Sequence, residues 1–156
     1  MKTIKYLQMT ALFLATALQG AMAAEMPFRG TFDAVEIPTV HPPIVNVTAT
    51  GGGNATQLGK FTMTYTAEVN LVSRLGFGSG EFIAANGDRL FVDTVGQSSP
   101  TSTPNVISIV ETLTITGGTG RFANATGSLT LERLKDQVSG STSGHMDGTI
   151  VIPNGK

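Results

Sequence analysis

Two charged side chains fall on faces of predicted strands that are otherwise apolar. Glu111 lies in the middle of an alternating face of isoleucine and leucine residues between positions 107 and 115. Arg133 continues the apolar face formed by Leu129 and Leu131. A buried carboxylate needs a partner, and a guanidinium is the strongest one available. These two residues are therefore the first candidates for chemistry in the chain.

The connection between the two strands predicts that Glu111 and Arg133 meet. A hairpin folded symmetrically near Arg121 places Glu111 beside or diagonal to Arg133, within reach of long side chains. Such a pair has two interpretations: it satisfies two half-buried charges at a barrel end, or it is a polar handle for a mostly apolar ligand. A register error that turns one residue outward is the third outcome. With Tyr65 as a further polar contact, Glu111 and Arg133 are the predicted ligand-binding residues.

Other chemistry has little support in the sequence. Without cysteine there is no disulfide, thiol nucleophile or Cys-ligated zinc. His41 and His145 are isolated from carboxylates at ligand spacing, so no metal site is predicted. Ser79 lies between two glycines without the strand-to-helix setting of a nucleophile elbow. No cofactor is expected, and no catalytic residue is identified.

The first 23 residues have the pattern of a secretory signal peptide. Lys2 and Lys5 precede a short apolar run, and an Ala-Met-Ala sequence at 21–23 suits the peptidase. Cleavage after Ala23 leaves eight basic and eleven acidic residues, a net charge of −3. That charge disfavours nucleic acid and anionic membranes as partners. We expect an exported protein of the bacterial periplasm or the exterior, with no membrane partner after cleavage.

The rest of the chain, residues 24–156, is strand-rich and predicts one β domain. Residues 60–71 alternate strictly between apolar and polar side chains over twelve positions, which is the period of a half-buried strand. Seven further strands are predicted by composition and turn signals: 28–36, 44–50, 74–84, 89–95, 106–116, 127–135 and a last strand that ends at Ile152. No amphipathic helical stripe competes with them.

Glycines mark several of the expected turns and bends. Residues 51–54 (GGGN) predict a flexible turn, and Asn86-Gly87 predicts a tight hairpin. Gly76, Gly78 and Gly80 fall on one face of the fourth strand. Small residues in that arrangement permit sharp bending, or the close approach of another group to the sheet.

Eight consecutive strands with short connections predict an antiparallel meander. Its edges are protected either by closure or by stacking. We predict an all-β, eight-stranded antiparallel up-and-down barrel, with a two-sheet β-sandwich as the alternative.

One segment resembles a known family. Residues 117–127, GGTGRFANATG, form a glycine-rich connection between two strands, and Phe122 within it is expected to fold back onto the core as a plug. The run resembles the hairpin of the allene oxide cyclase and dirigent barrel superfamily. Residues 84–91 (AANGDRLF) and 56–61 (TQLGKF) are similar to segments of its bacterial secreted relatives.

The resemblance implies a calycin-like barrel with a central cavity. Plant members of the superfamily cyclise an unsaturated epoxy fatty acid or steer the coupling of phenolic radicals, often as trimers or dimers. A homo-oligomer is therefore implied here too. The matching residues are structural in those families. We match none of the family's catalytic residues to this sequence, so the resemblance does not extend to activity.

Three functions stay open at this point. The barrel holds a small apolar or phenolic ligand, with Glu111, Arg133 and Tyr65 as polar contacts. Alternatively, it is an enzyme of isomerase or cyclase type that folds a reactive substrate in a dry cavity. In the third alternative it is a structural or oligomeric barrel with a filled interior. The presence of a cavity of ligand size separates the first two from the third.

Overall fold

The computed structural model describes residues 23–153. Apart from Ala23, the predicted signal peptide lies outside the described residues. The described part of the chain contains one helical segment, a single 3-10 turn at Gly120–Phe122. It contains no helix that is long and apolar enough to cross a membrane.

Eight antiparallel strands close into a barrel. They are β1 (Glu25–His41), β2 (Ile44–Ala55), β3 (Gly59–Asn70), β4 (Leu75–Ala84), β5 (Arg89–Pro100), β6 (Val106–Gly118), β7 (Thr126–Asp136) and β8 (Ser141–Val151). Each strand pairs with its neighbours in the chain, and β8 also pairs with β1, so the sheet has no free edge. The predicted up-and-down barrel is confirmed, and the sandwich alternative is wrong.

Three strand boundaries differ clearly from the sequence-based prediction. The fifth strand, predicted for 89–95, extends to Pro100, because residues 96–100 pair with β6 instead of forming a loop. The first strand does not end before Pro38: it continues to His41, which pairs with Ile44. Residues 51–54 are not a turn but part of β2. A β-carbon on Gly51 would lie 2.2 Å from the carbonyl oxygen of Asp33, so β1 and β2 approach too closely there for a side chain. The glycines of this run serve close strand packing rather than flexibility.

One end of the barrel, which we call the plugged end, is filled by apolar side chains. The turn after β6 carries Phe122 into the interior, where it is fully buried, as predicted. Leu58, from the β2–β3 turn, is buried at the same end. Phe61 and Phe82 meet edge to face, with ring centroids 5.4 Å apart. The predicted Asn86-Gly87 hairpin also lies here, and Gly87 has the positive φ of +87° that this turn requires.

The opposite end, which we call the open end, carries the other four turns. They join β1 to β2, β3 to β4, β5 to β6 and β7 to β8. Several inward-facing residues near these turns, such as Val69 and Ile107, are only partly buried, in contrast to the core at the plugged end. The interior is therefore packed in one half and hollow in the other.

Candidate functional site

A cavity of about 560 Å³ occupies the open half of the barrel. Its walls are mostly apolar and come from β1 to β7, with Val45, Val47, Ala67, Val69, Ile107 and Ile109 among the lining residues. Residues of the turns at the open end, such as Arg74 and Val138, line its mouth. The volume lies in the range of pockets that enclose small organic molecules.

A group of polar side chains lies at the inner end of this cavity, between it and the packed core. We call it the polar layer: Glu36 of β1, Tyr65 of β3, Glu111 of β6, and Arg133 and Lys135 of β7. All five line the cavity. Glu36 is 4% exposed and Arg133 8%, which makes them the buried charges among the described residues.

Arg133 is the centre of the polar layer. Its Nε lies 2.8 Å from Oε2 of Glu111, and its Nη2 lies 3.3 Å from Oε1 of the same carboxylate. The Nη1 group donates to Glu36 and to Oγ1 of Thr142, the latter at 3.1 Å. The guanidinium carbon also lies 5.7 Å from the centre of the Tyr65 ring. One guanidinium thus binds two carboxylates, one of them through two parallel hydrogen bonds.

Glu36 is the second hub of the layer. Its carboxylate accepts hydrogen bonds from Arg133, from the ammonium of Lys135 and from the hydroxyl of Tyr65. Burial alone would raise the pKa of Glu36, but the charge of Arg133 and the hydrogen bonds from Lys135 and Tyr65 outweigh it and lower this pKa below its ordinary value. Glu36 is therefore an anion at neutral pH.

The hydroxyl of Tyr65 stays protonated for the complementary reasons. Burial raises its pKa, and the neighbouring Glu36 carboxylate raises it further, although Arg133 acts in the opposite direction. Burial would lower the pKa of Arg133, but the charge and hydrogen bonds of Glu111, together with Tyr65 and Glu36, outweigh it and raise this pKa. Two carboxylates and two cations cancel, so the layer is neutral overall.

Glycines on the neighbouring strands make room for the two central charges. Gly96 is the register partner of Glu111, and a β-carbon there would lie 2.3 Å from Cγ of Glu111. Gly144 is the register partner of Arg133, and its β-carbon would lie 2.6 Å from Cβ of Arg133. Each long charged side chain therefore leans over a position that has no side chain of its own.

The glycines of β4 form a bare strip of the inner wall. Gly76, Gly78 and Gly80 share one face of β4, as predicted, and this face points inward. A β-carbon on Gly78 would lie 2.3 Å from the carbonyl oxygen of Thr66, so the curved β3–β4 pair has no space for one. Of the three, Gly76 lines the large cavity.

Comparison with known proteins adds information on the fold. No protein-family model matches the chain, and no curated protein matches it significantly. Among solved structures, that of a pterocarpan synthase dirigent protein is similar over 97% of this chain and 100% of its own, with a TM-score of 0.59 at 17% sequence identity. The chain has a dirigent-like β-barrel fold. The resemblance that residues 117–127 carry is thereby confirmed for the fold.

Within this dirigent-like barrel, the predicted site residues come together. Glu111 and Arg133 form an ion pair inside the barrel, and their arrangement is diagonal, because Arg133 is the register partner of Ile109. Tyr65 joins them through Glu36 and through its ring. The two histidines lie elsewhere: His41 ends β1, and His145 is exposed with Nε2 3.8 Å from Oε2 of Glu132. Residues 23–153 contain no group of three or more metal-ligating side chains.

Sequence reasoning missed Glu36 and Lys135. Both carried a signal, because Glu36 continues the inward face of Phe28, Phe32 and Ala34, and Lys135 continues that of Arg133. Glu36 and Lys135 are the last residues of the predicted strands 28–36 and 127–135, and a charged side chain at a strand end usually points into solvent. The barrel instead continues past them to the open end, and both side chains turn into the cavity.

Proposed function

We propose that this protein is an exported binding protein that holds one small, mostly apolar ligand in the open half of the barrel. A phenolic or similarly hydrogen-bonding end of the ligand faces the polar layer. The observation that carries the proposal is the cavity of about 560 Å³ with apolar walls and a buried, charge-balanced group at its inner end. Export rests on the signal-peptide pattern of residues 1–23.

The polar layer is suited to orient a neutral ligand. Its fixed charges are paired with one another, so it demands no net charge from the ligand. The ammonium of Lys135 has three N–H donors, and among the described residues it has a single hydrogen-bond acceptor, Glu36. Spare donors on a 13%-exposed side chain at the cavity wall suit a hydroxyl or carbonyl oxygen.

The same geometry favours binding over catalysis. A general base needs a pKa near the working pH, whereas Arg133 and Lys135 hold the pKa of Glu36 below its ordinary value. Tyr65, with its raised pKa, is a poor proton donor and does not supply a nucleophile. An isomerase or cyclase would have to act through the shape of the cavity and the fixed charges of the polar layer, without a general base.

The alternative of a filled interior fits only half of the barrel. Phe122, Phe28, Leu90 and Ile150 are completely buried and fill the plugged end. Beyond Tyr65, the inward positions of β4 and β5 are glycine or small polar residues that leave the open half hollow. A purely structural barrel would gain stability by filling that space with larger side chains.

Native mass spectrometry of the protein purified from its own host tests the proposal. We expect the folded protein to carry an additional small mass, at one ligand per chain, that is released on denaturation. The same sample after denaturation, dialysis and refolding is the control, and it regains the mass when it is returned to a host extract. If the native and the re-exposed samples both show the mass of the chain alone, the proposal is wrong. The same spectra report the oligomeric state.

A further inference from the structure

One buried hydroxyl at the inner end of the cavity has no partner. Oγ1 of Thr94, on β5, makes no hydrogen bond within the described part of the chain, and Thr94 is only 9% exposed. Thr94 lines the large cavity and also a small void of about 30 Å³ beneath the polar layer. It thus lies where the hollow and the packed halves of the barrel meet.

The two adjacent strands offer Thr94 nothing to bind. Its register partner on β4 is Gly78, which has no side chain, and its partner on β6 is Leu113, which is apolar and buried. A buried hydroxyl without a partner destabilises the fold, whereas valine has the same shape without that cost. Threonine at position 94 therefore lowers the stability of the fold, and its hydroxyl makes no hydrogen bond within the described part of the chain.

The strand beside Thr94 on the β4 side carries three glycines. Gly76, Gly78 and Gly80 form the bare strip along β4, and no side chain fits at Gly78 because its β-carbon would lie 2.3 Å from the Thr66 carbonyl oxygen. A strip of backbone without side chains is a flat surface. It suits a planar ring whose substituent reaches Thr94.

We propose that Thr94 is a specificity-determining contact of the ligand site. Its hydroxyl forms a hydrogen bond with a hydroxyl or carbonyl group at the deep end of the ligand, whose planar body lies along the glycine strip of β4. This inference rests on the proposed function and deepens it. It predicts that the site selects hydroxyl-bearing ligands over isosteric hydrocarbons, because a buried group left unpaired penalises the wrong ligand.

A matched pair of probes tests the contact. Calorimetric titration with 4-propylphenol and propylbenzene is compared for the wild type, Thr94→Val and Thr94→Ser. The control is Thr112→Val, since Thr112 is an outward-facing threonine on β6. We expect the wild type and T112V to prefer 4-propylphenol by about tenfold or more. T94V loses most of this preference, and T94S keeps it.

A stability readout separates this role from a structural one. We expect ligand-free T94V to melt at the same temperature as the wild type or higher, because it removes an unpartnered hydroxyl. A lower melting temperature would show that the hydroxyl has a partner in the free protein, such as a water in the small void, and would overturn the inference. So would an unchanged probe preference in T94V while both probes bind. If the wild type binds neither probe, the proposed function fails together with the Thr94 contact.

Discussion

The guanidinium of Arg133 donates a hydrogen bond to the carboxylate of Glu36, a residue 97 positions earlier in the chain. The two residues lie on β7 and β1, with β8 between them in the barrel. Their meeting depends on closure, because only the pairing of β8 with β1 brings the first strand beside the last ones. The ion pair is thus both a product of the closed fold and the centre of its interior site.

Replacement of Arg133 by methionine should be strongly destabilising. It leaves Glu36 and Glu111 buried without their main partner, and such a change costs about 3–5 kcal/mol. Urea unfolding of R133M against the wild type measures the loss. The control is Arg29→Met, which removes an exposed ion pair with Asp147 and should change the free energy of unfolding by about 1 kcal/mol or less. Equal effects of the two substitutions would contradict a buried polar layer.

The stability contributed by Glu36 should disappear in acid. Its pKa in the folded protein is below the ordinary value of 4.5. The contribution is therefore complete above pH 4.5 and is lost as the pH falls through the folded pKa. We expect the free-energy difference between the wild type and Glu36→Gln to shrink from pH 7 toward pH 3. Asp136, whose pKa is lowered by the backbone N–H groups of Ser139 and Val138, is common to both proteins and cancels. A constant difference across this range would refute the assignment.

Tyr65 offers an optical test of the polar layer. The chain has two tyrosines, Tyr6 and Tyr65, and no tryptophan, so residues 24–156 contain Tyr65 alone. Its pKa is raised above the ordinary value of 10 by burial and by the Glu36 carboxylate. The raised pKa stabilises the fold below pH 10 and favours unfolding as the pH rises above it. We expect the tyrosinate absorbance to appear only at the pH where the protein unfolds, with unfolding monitored by circular dichroism. A tyrosinate step near pH 10 in the folded protein is the contrary result.

Gly51→Ala distinguishes the strand from the turn that the sequence predicts. In a flexible turn, alanine would be neutral or would stabilise by about 0.4–1 kcal/mol. In the structure, its β-carbon would lie 2.2 Å from the Asp33 carbonyl oxygen and 2.5 Å from Cβ of Ala34. We expect a loss of about 1–3 kcal/mol, as is usual for overpacking. If thermal unfolding shows no loss of stability in G51A, residues 51–54 form the flexible turn that the sequence predicts, and the strand assignment is contradicted.

Local patterns were sufficient for most of the barrel. The strict alternation of 60–71 predicts β3, and the Asn86-Gly87 signal predicts the hairpin between β4 and β5. Both features depend only on neighbours in the chain. The Glu111–Arg133 pair was predictable for the same reason, since one hairpin joins the two strands.

Features that depend on closure of the barrel could not be predicted from the sequence. Glu36 contacts Arg133 only because the closed barrel places β1 one strand away from β7, with β8 between them. The run 51–53 is recognised as strand only from the close approach of β1 to it. The importance of Thr94 comes from the partner it lacks, and a sequence does not show that its neighbours are Gly78 and Leu113.

The central claim is that the open half of the barrel is a ligand site. Calorimetric titration of 4-propylphenol into the wild type, Ala67→Phe and Thr66→Phe tests it most directly. Ala67 lines the cavity, whereas Thr66, the adjacent residue on β3, faces outward. We predict one-to-one binding by the wild type and T66F, and its loss in A67F, where the new ring fills the site. Binding by A67F as strong as that of the wild type, or no binding by the folded wild type, would contradict the account.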